Sequence, residues 1–356
     1  MSSSLPRYSC QIALPEFGKR GQELLRQARV LIAGVGGLGC PAAQYIAASG
    51  IGTIGIADYD TISHGNLHRQ ILYTPEEVGL KKTTVACTKL QLQNPDVTLI
   101  PHDIQIGSDN VFELISQYDI VVDGTDNFET RYLLNDACCL AGKPLVYGAI
   151  YQYEGQVTLF NLRNADETRG PNLRDLFPEV DASQIPNCAE GGVLPTVAGM
   201  IGCMQANEVI KYLTGIGDLL SGKLLILDAL TLQSRIVKIG TVTKTVVQQL
   251  QPTVAVPLIS PADLKKGLSK DLYELIDVRS ISERESYNIG GTHIPHGDIG
   301  NSLPYLKTDK PIILYCATGK RSAEAITAIR KQNPSAMLFS LGGGIKAWKE
   351  FLDQSS

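Results

Sequence analysis

"ARVLIAGVGGLGCPAAQYIAASGIG", residues 28–52, decides the fold. A short apolar run leads into a cluster of glycines. A small-residue stretch with helical spacing follows and closes at Gly50. Strand, glycine loop, helix is the opening of a βαβ unit in a parallel sheet. Gly34, Gly36 and Gly39 fit G-x-G-x-x-G, and Gly37 adds a fourth glycine. Such a loop lets backbone N–H groups approach phosphates at a helix N-terminus. Asp58 ends the next apolar run, "IGTIGIAD", where a carboxylate can hold a ribose hydroxyl. On these residues alone a nicotinamide-dependent oxidoreductase and an ATP-using enzyme both stay open.

Outward from that loop the alternation continues. "DIVVDGTDN" (119–127) and "KPLVYGAIY" (143–151) are further strand candidates with helical stretches between them. The order predicts an α/β fold with a mostly parallel, Rossmann-like sheet. "GQVTLFNL" (155–162) begins an antiparallel stretch. Residues 162–187 read as a long polar loop, and "GGVLPTVAGMIGCMQANEVIKYLTG" (191–215) as a buried helix ending at Gly215. "SRIVKIG" (234–240) and "TKTVVQQL" (243–250) read as strands. "LYELIDVR", "PIILYC", "SAEAITAIRKQ" and "SAMLFSLGGGIKAWKEFL" form a second, shorter α/β series. The expected division is 1–245 for the first domain, 246–256 for a linker and 257–356 for the second.

Composition bounds the function. A chain of 356 residues exceeds one ordinary domain, and 44% hydrophobic with 19% charged residues fits a globular protein with a substantial core. A net charge of -4 argues against nucleic-acid binding, which rests on phosphate neutralisation. Neither an apolar span long enough for a membrane nor a signal-peptide core is visible, so a cytoplasmic location is expected. The eight cysteines then read as thiols, metal ligands or catalytic groups, not as a disulfide framework. The adjacent Cys138 and Cys139 point in different directions on a helix and do not suit a shared zinc site.

Charges downstream of the loop shift the balance toward triphosphate chemistry. "DYDTISHGNLHRQ" (58–70) offers Asp58, Asp60, Asn66, Arg69 and Gln70, and "VGLKKT" adds Lys81 and Lys82. "DGTDN" puts Asp123 and Asp126 at the carboxyl end of a strand. Cations beside a carboxylate able to hold Mg²⁺ suit phosphoryl chemistry better than hydride transfer. With "RYS-QI-LPE-G--GQ", "NLHRQ", "TDN---R--LN", "GQVTLF" and "C-EGGV-P---G-IG--QA-E-IK", residues 7–238 resemble the ThiF/MoeB/HesA family, the ubiquitin-activating-enzyme-like adenylyltransferases.

That resemblance implies adenylation, with ATP and Mg²⁺, of the C-terminal glycine of a ubiquitin-like sulfur-carrier protein ending in Gly-Gly. It implies that Gly34, Gly36, Gly37 and Gly39 line the nucleotide loop, Asp58 holds the ribose, Asn66, Arg69 and Lys82 contact phosphates, and Asp126 holds Mg²⁺. It makes Cys188, at the exit of the polar loop, an acceptor thiol, while Cys203 reads as a packing residue and Cys40 and Cys87 as core or helix-surface residues. It also implies a homodimer. Relatives carry two C-x-x-C pairs for a structural zinc. The matching segments here, "NADETRGPNLRDLF" and "GTVTKTVVQ", contain no cysteine, so no zinc is expected. Relatives read "RYSRQ" where this chain has Cys10, and their arginine reaches a dimer partner's ATP. Arg7 and Arg20 are nearby cations that could stand in.

"LYCATGKRSAEAITAIRK" (314–331) predicts a strand, a loop Cys316–Arg321 and a helix. Loop N–H groups from Gly319 onward, the helix N-terminus and the cations Lys320 and Arg321 would favour an anionic sulfur on Cys316. With "DVRSISERESYNIGGTHIP" and "LGGGIKAWKEF", residues 256–356 resemble the rhodanese family, with Ala317 in place of a common arginine. Asp277 and Arg279 read as a structural pair, and His293 as a turn residue. Together the two resemblances imply sulfur transfer from a Cys316 persulfide to the activated carrier, giving a thiocarboxylate, with thiosulfate or a cysteine desulfurase as the sulfur donor. The alternatives are a non-catalytic carrier-binding adaptor with a sulfur-sensing unit, and the nicotinamide-dependent oxidoreductase.

Overall fold

A computed structural model describes residues 7–178, 192–250, 256–299, 310–333 and 336–354. They form two compact units that separate in sequence after residue 250.

In the first unit, β1 (Arg29–Ala33) enters the glycine loop and α3 (Gly39–Ala48) leaves it. Two short helices precede them, α1 (Ser9–Ile12) and α2 (Gly18–Gln27). β2 (Thr53–Ala57), α4 (Lys82–Gln93), β3 (Thr98–His102), α5 (Val111–Ser116), β4 (Ile120–Asp123), α6 (Phe128–Ala141) and β5 (Leu145–Tyr151) continue the alternation. β6 (Glu154–Phe160), α7 (Leu173–Leu176), α8 (Pro195–Thr214), β7 (Lys223–Asp228) and β8 (Gln233–Lys238) complete the unit. The sheet order is β3-β2-β1-β4-β5-β6-β7-β8, parallel through β5 and antiparallel from β6 onward. Val30 to Ala33 and Ile120 to Val122 are fully buried, as expected for parallel strands covered on both faces.

The order reverses between β1 and β4, so a crevice opens at their carboxyl ends, the usual ligand site of such sheets. Helix α8 packs tightly there because its residues are small: a Cβ on Gly202 would sit 2.5 Å from the Leu38 carbonyl oxygen, at the entry to α3. The predicted helix ends hold, since Gly50 and Gly215 both take positive φ, 83° and 73°. "TKTVVQQL" is a correction, because residues 243–250 pair with no strand.

The second unit contains β9 (Leu258–Ile259), α9 (Pro261–Leu268), β10 (Glu274–Asp277), α10 (Ile281–Ser286) and β11 (Thr292–His293). β12 (Ile312–Tyr315), α11 (Lys320–Gln332), β13 (Leu338–Leu341) and α12 (Gly344–Gln354) follow. Its five strands are all parallel, in the order β11-β10-β12-β13-β9. His293 lies on β11 and its Nε2 meets the Arg279 carbonyl at 2.8 Å, so it is a strand residue, not a turn residue.

Candidate functional site

The glycines of the loop divide into two groups. Gly34 has φ 85°, and a Cβ there would lie 2.8 Å from the Gly124 carbonyl oxygen at the end of β4. A Cβ on Gly39 would lie 1.9 Å from the Gly34 oxygen. These two positions need glycine for the chain to close on itself. Gly36 and Gly37 differ: their nearest neighbours to such a Cβ are the ends of Gln70 and Arg69, at 3.4 and 3.5 Å. Here the missing side chains leave backbone open at the start of α3, which suits a phosphate.

Asp58 is bonded directly to this loop. One carboxylate oxygen accepts from the Val35 N–H and the other from the Asp60 N–H, both at 2.9 Å. Burial pushes its carboxyl above the usual range, and the Lys82 ammonium opposes that shift. Lys82 itself is nearly buried, its side chain 4% exposed, with Nζ 2.9 Å from an Asp60 carboxylate oxygen. It starts α4, where the helix dipole disfavours a cation, so a local stability argument does not place it there. Lys81 turns elsewhere, to Asp103 and the Tyr59 carbonyl.

Asn66 and Arg69 are joined: the guanidinium donates to Asn66 Oδ1 at 3.2 Å, and the Arg69 stem lies against Gly37. Gln70, offered by the same segment in sequence but given no role there, also reaches the loop. It is buried beside Gly36, and its Oε1 has no hydrogen-bond partner. Of the two carboxylates after β4, Asp123 is fully buried. It accepts from Arg131 Nε at 2.9 Å and from the Thr125 N–H and hydroxyl, which makes it a structural anchor. Asp126 is exposed just before α6. The loop glycines, Asp58, Asn66, Arg69 and Lys82 therefore share one crevice edge, and Asp126 lies three residues beyond the carboxyl end of the adjacent strand, β4. Cys188 lies outside the described residues.

Arg69 also borders an apolar cavity of about 720 Å³, lined by Pro41, Ile71, Met200, Cys203 and Met204 among others. Cys203 is therefore a cavity-lining residue, not simply packing, while Cys40 and Cys87 are buried as expected. Cys10 is exposed on α1. Its neighbours dock on the far end of α3: Gln11 Nε2 donates to the Ser49 carbonyl at 2.8 Å, and Tyr8 bonds Asn94. Helix α3 puts about 15 Å between that end and the loop. Arg7 is held by the Gln93 carbonyl at 2.9 Å, at the opposite end of α4 from Lys82, so it does not replace the cation within its own protomer.

The two segments where relatives carry zinc ligands meet here through oxygen and amide groups. The Asp175 carboxylate accepts from the Thr243 hydroxyl (2.6 Å), from the Lys244 and Thr245 N–H groups (2.8 Å each) and from the Asn172 N–H (2.9 Å). Burial raises this carboxyl, and the Thr243 hydroxyl with the backbone donors more than offsets it, leaving it below its ordinary value. Asn172 Nδ2 adds bonds to Thr243 and Thr245. This set has no thiolate or imidazole, so it does not fit a tetrahedral zinc centre. The described part of the expected long loop, 162–178, is thus tied at its middle and contains the short helix α7 there instead of continuous loop.

In the second unit, Cys316 follows β12 and is buried. Its sulfur accepts from the Gly319 N–H at 3.1 Å and from the Ser322 hydroxyl at 3.5 Å. Gly319 has φ 96° and precedes α11, and among the described residues its N–H is the one loop N–H bonded to the sulfur. The glycine run closes the other side, with the Ile345 N–H on the Cys316 carbonyl at 2.9 Å. A Cβ on Gly344 would fall 2.4 Å from that carbonyl oxygen. Arg321 departs from expectation. Its guanidinium is engaged bidentately by Glu283, at 2.6 and 2.8 Å, which holds the Glu283 carboxyl down at about 2. Its charge is matched there instead of standing open beside the sulfur. Lys320 begins α11, and its side chain lies outside the described part of the structure. Asp277 and Arg279 form the expected buried pair, at 2.7 and 2.9 Å.

Comparison with known proteins matches residues 8–247 to the ThiF family and residues 260–351 to the rhodanese-like domain. The chain is 40% identical to a probable adenylyltransferase/sulfurtransferase, MoeZ, of Mycobacterium tuberculosis, over 96% of this chain and 92% of that protein. It is 46% identical to a sulfur carrier protein adenylyltransferase of Thermus thermophilus, over 64% of this chain and 84% of that protein. The crystal structure of E. coli MccB shares the fold of the first unit, with a TM-score of 0.58 at 21% identity, covering 68% of this chain and 72% of that one. Among the described residues no helix is long and apolar enough to cross a membrane.

Proposed function

The chain belongs to the ThiF family, carries a rhodanese-like domain and is an adenylyltransferase and sulfurtransferase, and from that premise we propose that it converts the C-terminal glycine of a ubiquitin-like sulfur carrier into a thiocarboxylate. The observation that carries the ATP half is Lys82, an ammonium held nearly buried at a helix start beside open glycine backbone.

The chemistry needs little beyond placement and charge. A carrier carboxylate is already ionised at neutral pH, so its attack on the α-phosphorus requires no general base. The phosphoanhydride bond to the β-phosphate breaks and pyrophosphate leaves. Asp58 orients the ribose, and Gly36 and Gly37 admit the phosphates to backbone N–H groups. Arg69, oriented by Asn66, and Lys82 meet the charge that develops on the leaving group. Gln70 Oε1 is an acceptor available to the nucleotide. Asp126, an exposed hard oxygen donor, would hold Mg²⁺, which supplies charge neutralisation on the phosphates. The reading includes a homodimer in which the exposed Cys10 faces the loop of a second copy.

The sulfur half rests on Cys316. Its thiolate takes the outer sulfur of thiosulfate, releasing sulfite and leaving a persulfide; a cysteine desulfurase would load the same atom. The terminal persulfide sulfur attacks the acyl carbon and AMP leaves, giving an acyl disulfide. A second thiol, for which Cys188 is the candidate, then attacks Cys316 Sγ. The carrier departs as its thiocarboxylate, and a Cys188–Cys316 disulfide remains for an external thiol to reduce.

The test is ATP–pyrophosphate exchange with a Gly-Gly-ended carrier. Exchange that depends on the carrier supports the adenylation half. NADH turnover with ATP inert would restore the oxidoreductase reading.

A further inference from the structure

Behind the Cys316 sulfur lie two serines that are both fully buried, Ser322 on α11 and Ser340 on β13. Their hydroxyl oxygens are 2.7 Å apart. Ser322 Oγ lies 3.5 Å from Cys316 Sγ and 3.0 Å from the Gly319 carbonyl oxygen. Ser340 Oγ lies 3.3 Å from the same carbonyl and makes no direct bond to the sulfur. Two hydroxyls carry two protons, and three acceptors compete for them: the sulfur, the Gly319 carbonyl and the other hydroxyl.

We propose that Ser340 is a positioning residue for sulfur transfer, keeping the Ser322 proton directed at Cys316 while the sulfur is anionic. Two proton arrangements achieve this. Ser340 donates to the Gly319 carbonyl and satisfies the acceptor nearest to Ser322. Alternatively, Ser340 donates into Ser322 Oγ, which then must give its proton to the sulfur. Without Ser340, the Gly319 carbonyl loses its other hydroxyl donor and competes with the sulfur for the single Ser322 proton. When Cys316 Sγ becomes the neutral inner sulfur of a persulfide, the same pair can turn toward Gly319. The pair therefore follows the sulfur through its two charge states without leaving a buried hydroxyl unpaired.

The ionisable groups on the surrounding elements include Asp277, Arg279, Glu283, Arg284, His296, Arg321, Glu324, Arg330 and Lys346, with Lys320, whose side chain lies outside the described part of the structure, at the start of α11. Asp277 pairs with Arg279 and Arg284, Glu283 with Arg321, and His296 with Glu324. A change at Ser340 leaves all of them in place, so a shift in the pH profile of Cys316 reads the hydroxyl.

The inference rests on Cys316 being the sulfur-bearing thiol. The test uses the full chain and iodoacetamide, with alkylation of the Cys316 peptide followed by mass as a function of pH. Ser340→Ala should move the alkylation midpoint to higher pH and slow the reaction about fivefold on the low-pH side of the parent's midpoint, the scale of one redirected hydrogen bond. Ser340→Thr, which keeps the hydroxyl, should restore the parent profile. An Ala profile superimposed on the parent overturns the proposal. So does an equal slowing in Ala and Thr that tracks a fall in melting temperature. Thiosulfate treatment of the parent separates the two readings. Absence of a persulfide on Cys316 removes the sulfur role, whereas an unshifted Ala profile removes only the role of Ser340.

Discussion

Lys82→Met separates catalysis from stability in one substitution. The ammonium is nearly buried, yet its partner Asp60 is 51% exposed, so the ion pair is screened and worth at most about 1 kcal/mol. Against that loss, removing a cation from the first turn of α4 relieves about 0.3–1 kcal/mol of unfavourable helix-dipole interaction. Methionine has similar length and fills the same space. The ammonium's remaining coupling is to Asp58, whose carboxylate it favours against burial, so the folded state should lose no more than about 2 kcal/mol. The reaction is a different matter. A preorganised charge aimed at a leaving group in a water-poor crevice contributes about 3–4 kcal/mol, a factor of about 10²–10³ in rate. Carrier-dependent ATP–pyrophosphate exchange should fall by that factor while the stability lost, read by urea unfolding, stays within the smaller bound. A rate within about tenfold of the parent would refute the assignment, since it would mean the charge contributes less than about 1.4 kcal/mol. A parallel collapse of stability would refute the reasoning about where Lys82 acts.

Other outcomes follow from the same geometry. Asp175→Ala should cost about 2–3 kcal/mol in denaturant unfolding, because four donors lose a charged acceptor, while a chelator should leave the parent's melting temperature unchanged. The Asp175 carboxyl lies below its ordinary value when folded. Its contribution is thus fully present above the unfolded carboxylate range and is lost as pH falls through the folded value; Asp175→Asn should remove that acid-side slope. Arg131→Ala leaves Asp123 buried without its cation, and should destabilise the first unit by about 3–5 kcal/mol, read by calorimetry; a loss under about 1 kcal/mol would show that Thr125 suffices. Cys10→Arg places a cation on an exposed helix, so stability should hold within about 0.5 kcal/mol while the pyrophosphate-exchange rate rises; an unchanged or lower rate contradicts the cross-dimer reading.

Local signals were legible and long-range ones were not. The glycine loop, the helix ends at Gly50 and Gly215, and the antiparallel turn after β5 all follow from residues close in sequence. Asp123 and Asp126 look alike in "DGTDN", and only the return of Arg131 from α6 buries one of them. Residues 243–250 have the composition of a strand, but the Lys244 and Thr245 N–H groups go to Asp175, about seventy residues earlier, so no ladder forms. Arg321 reads as a cation for the sulfur until Glu283, thirty-eight residues upstream, folds against it. Gln70 is one polar residue among several offered by "DYDTISHGNLHRQ", and its burial beside Gly36 with an unpartnered oxygen gives it a role. Apart from Arg131, only eight residues from Asp123, the deciding partner is remote in the chain, where periodicity carries no information.

The central claim is that one chain both activates a carrier's terminal glycine and delivers sulfur to it through Cys316. Intact-mass analysis of a Gly-Gly-ended carrier, incubated with ATP, Mg²⁺, thiosulfate, a thiol reductant and this protein, tests it most directly. The account predicts a carrier with one sulfur in place of one oxygen, lost in Cys316→Ala and in Lys82→Met. An unmodified carrier despite carrier-dependent pyrophosphate exchange, or undiminished sulfur gain in Cys316→Ala, would contradict it.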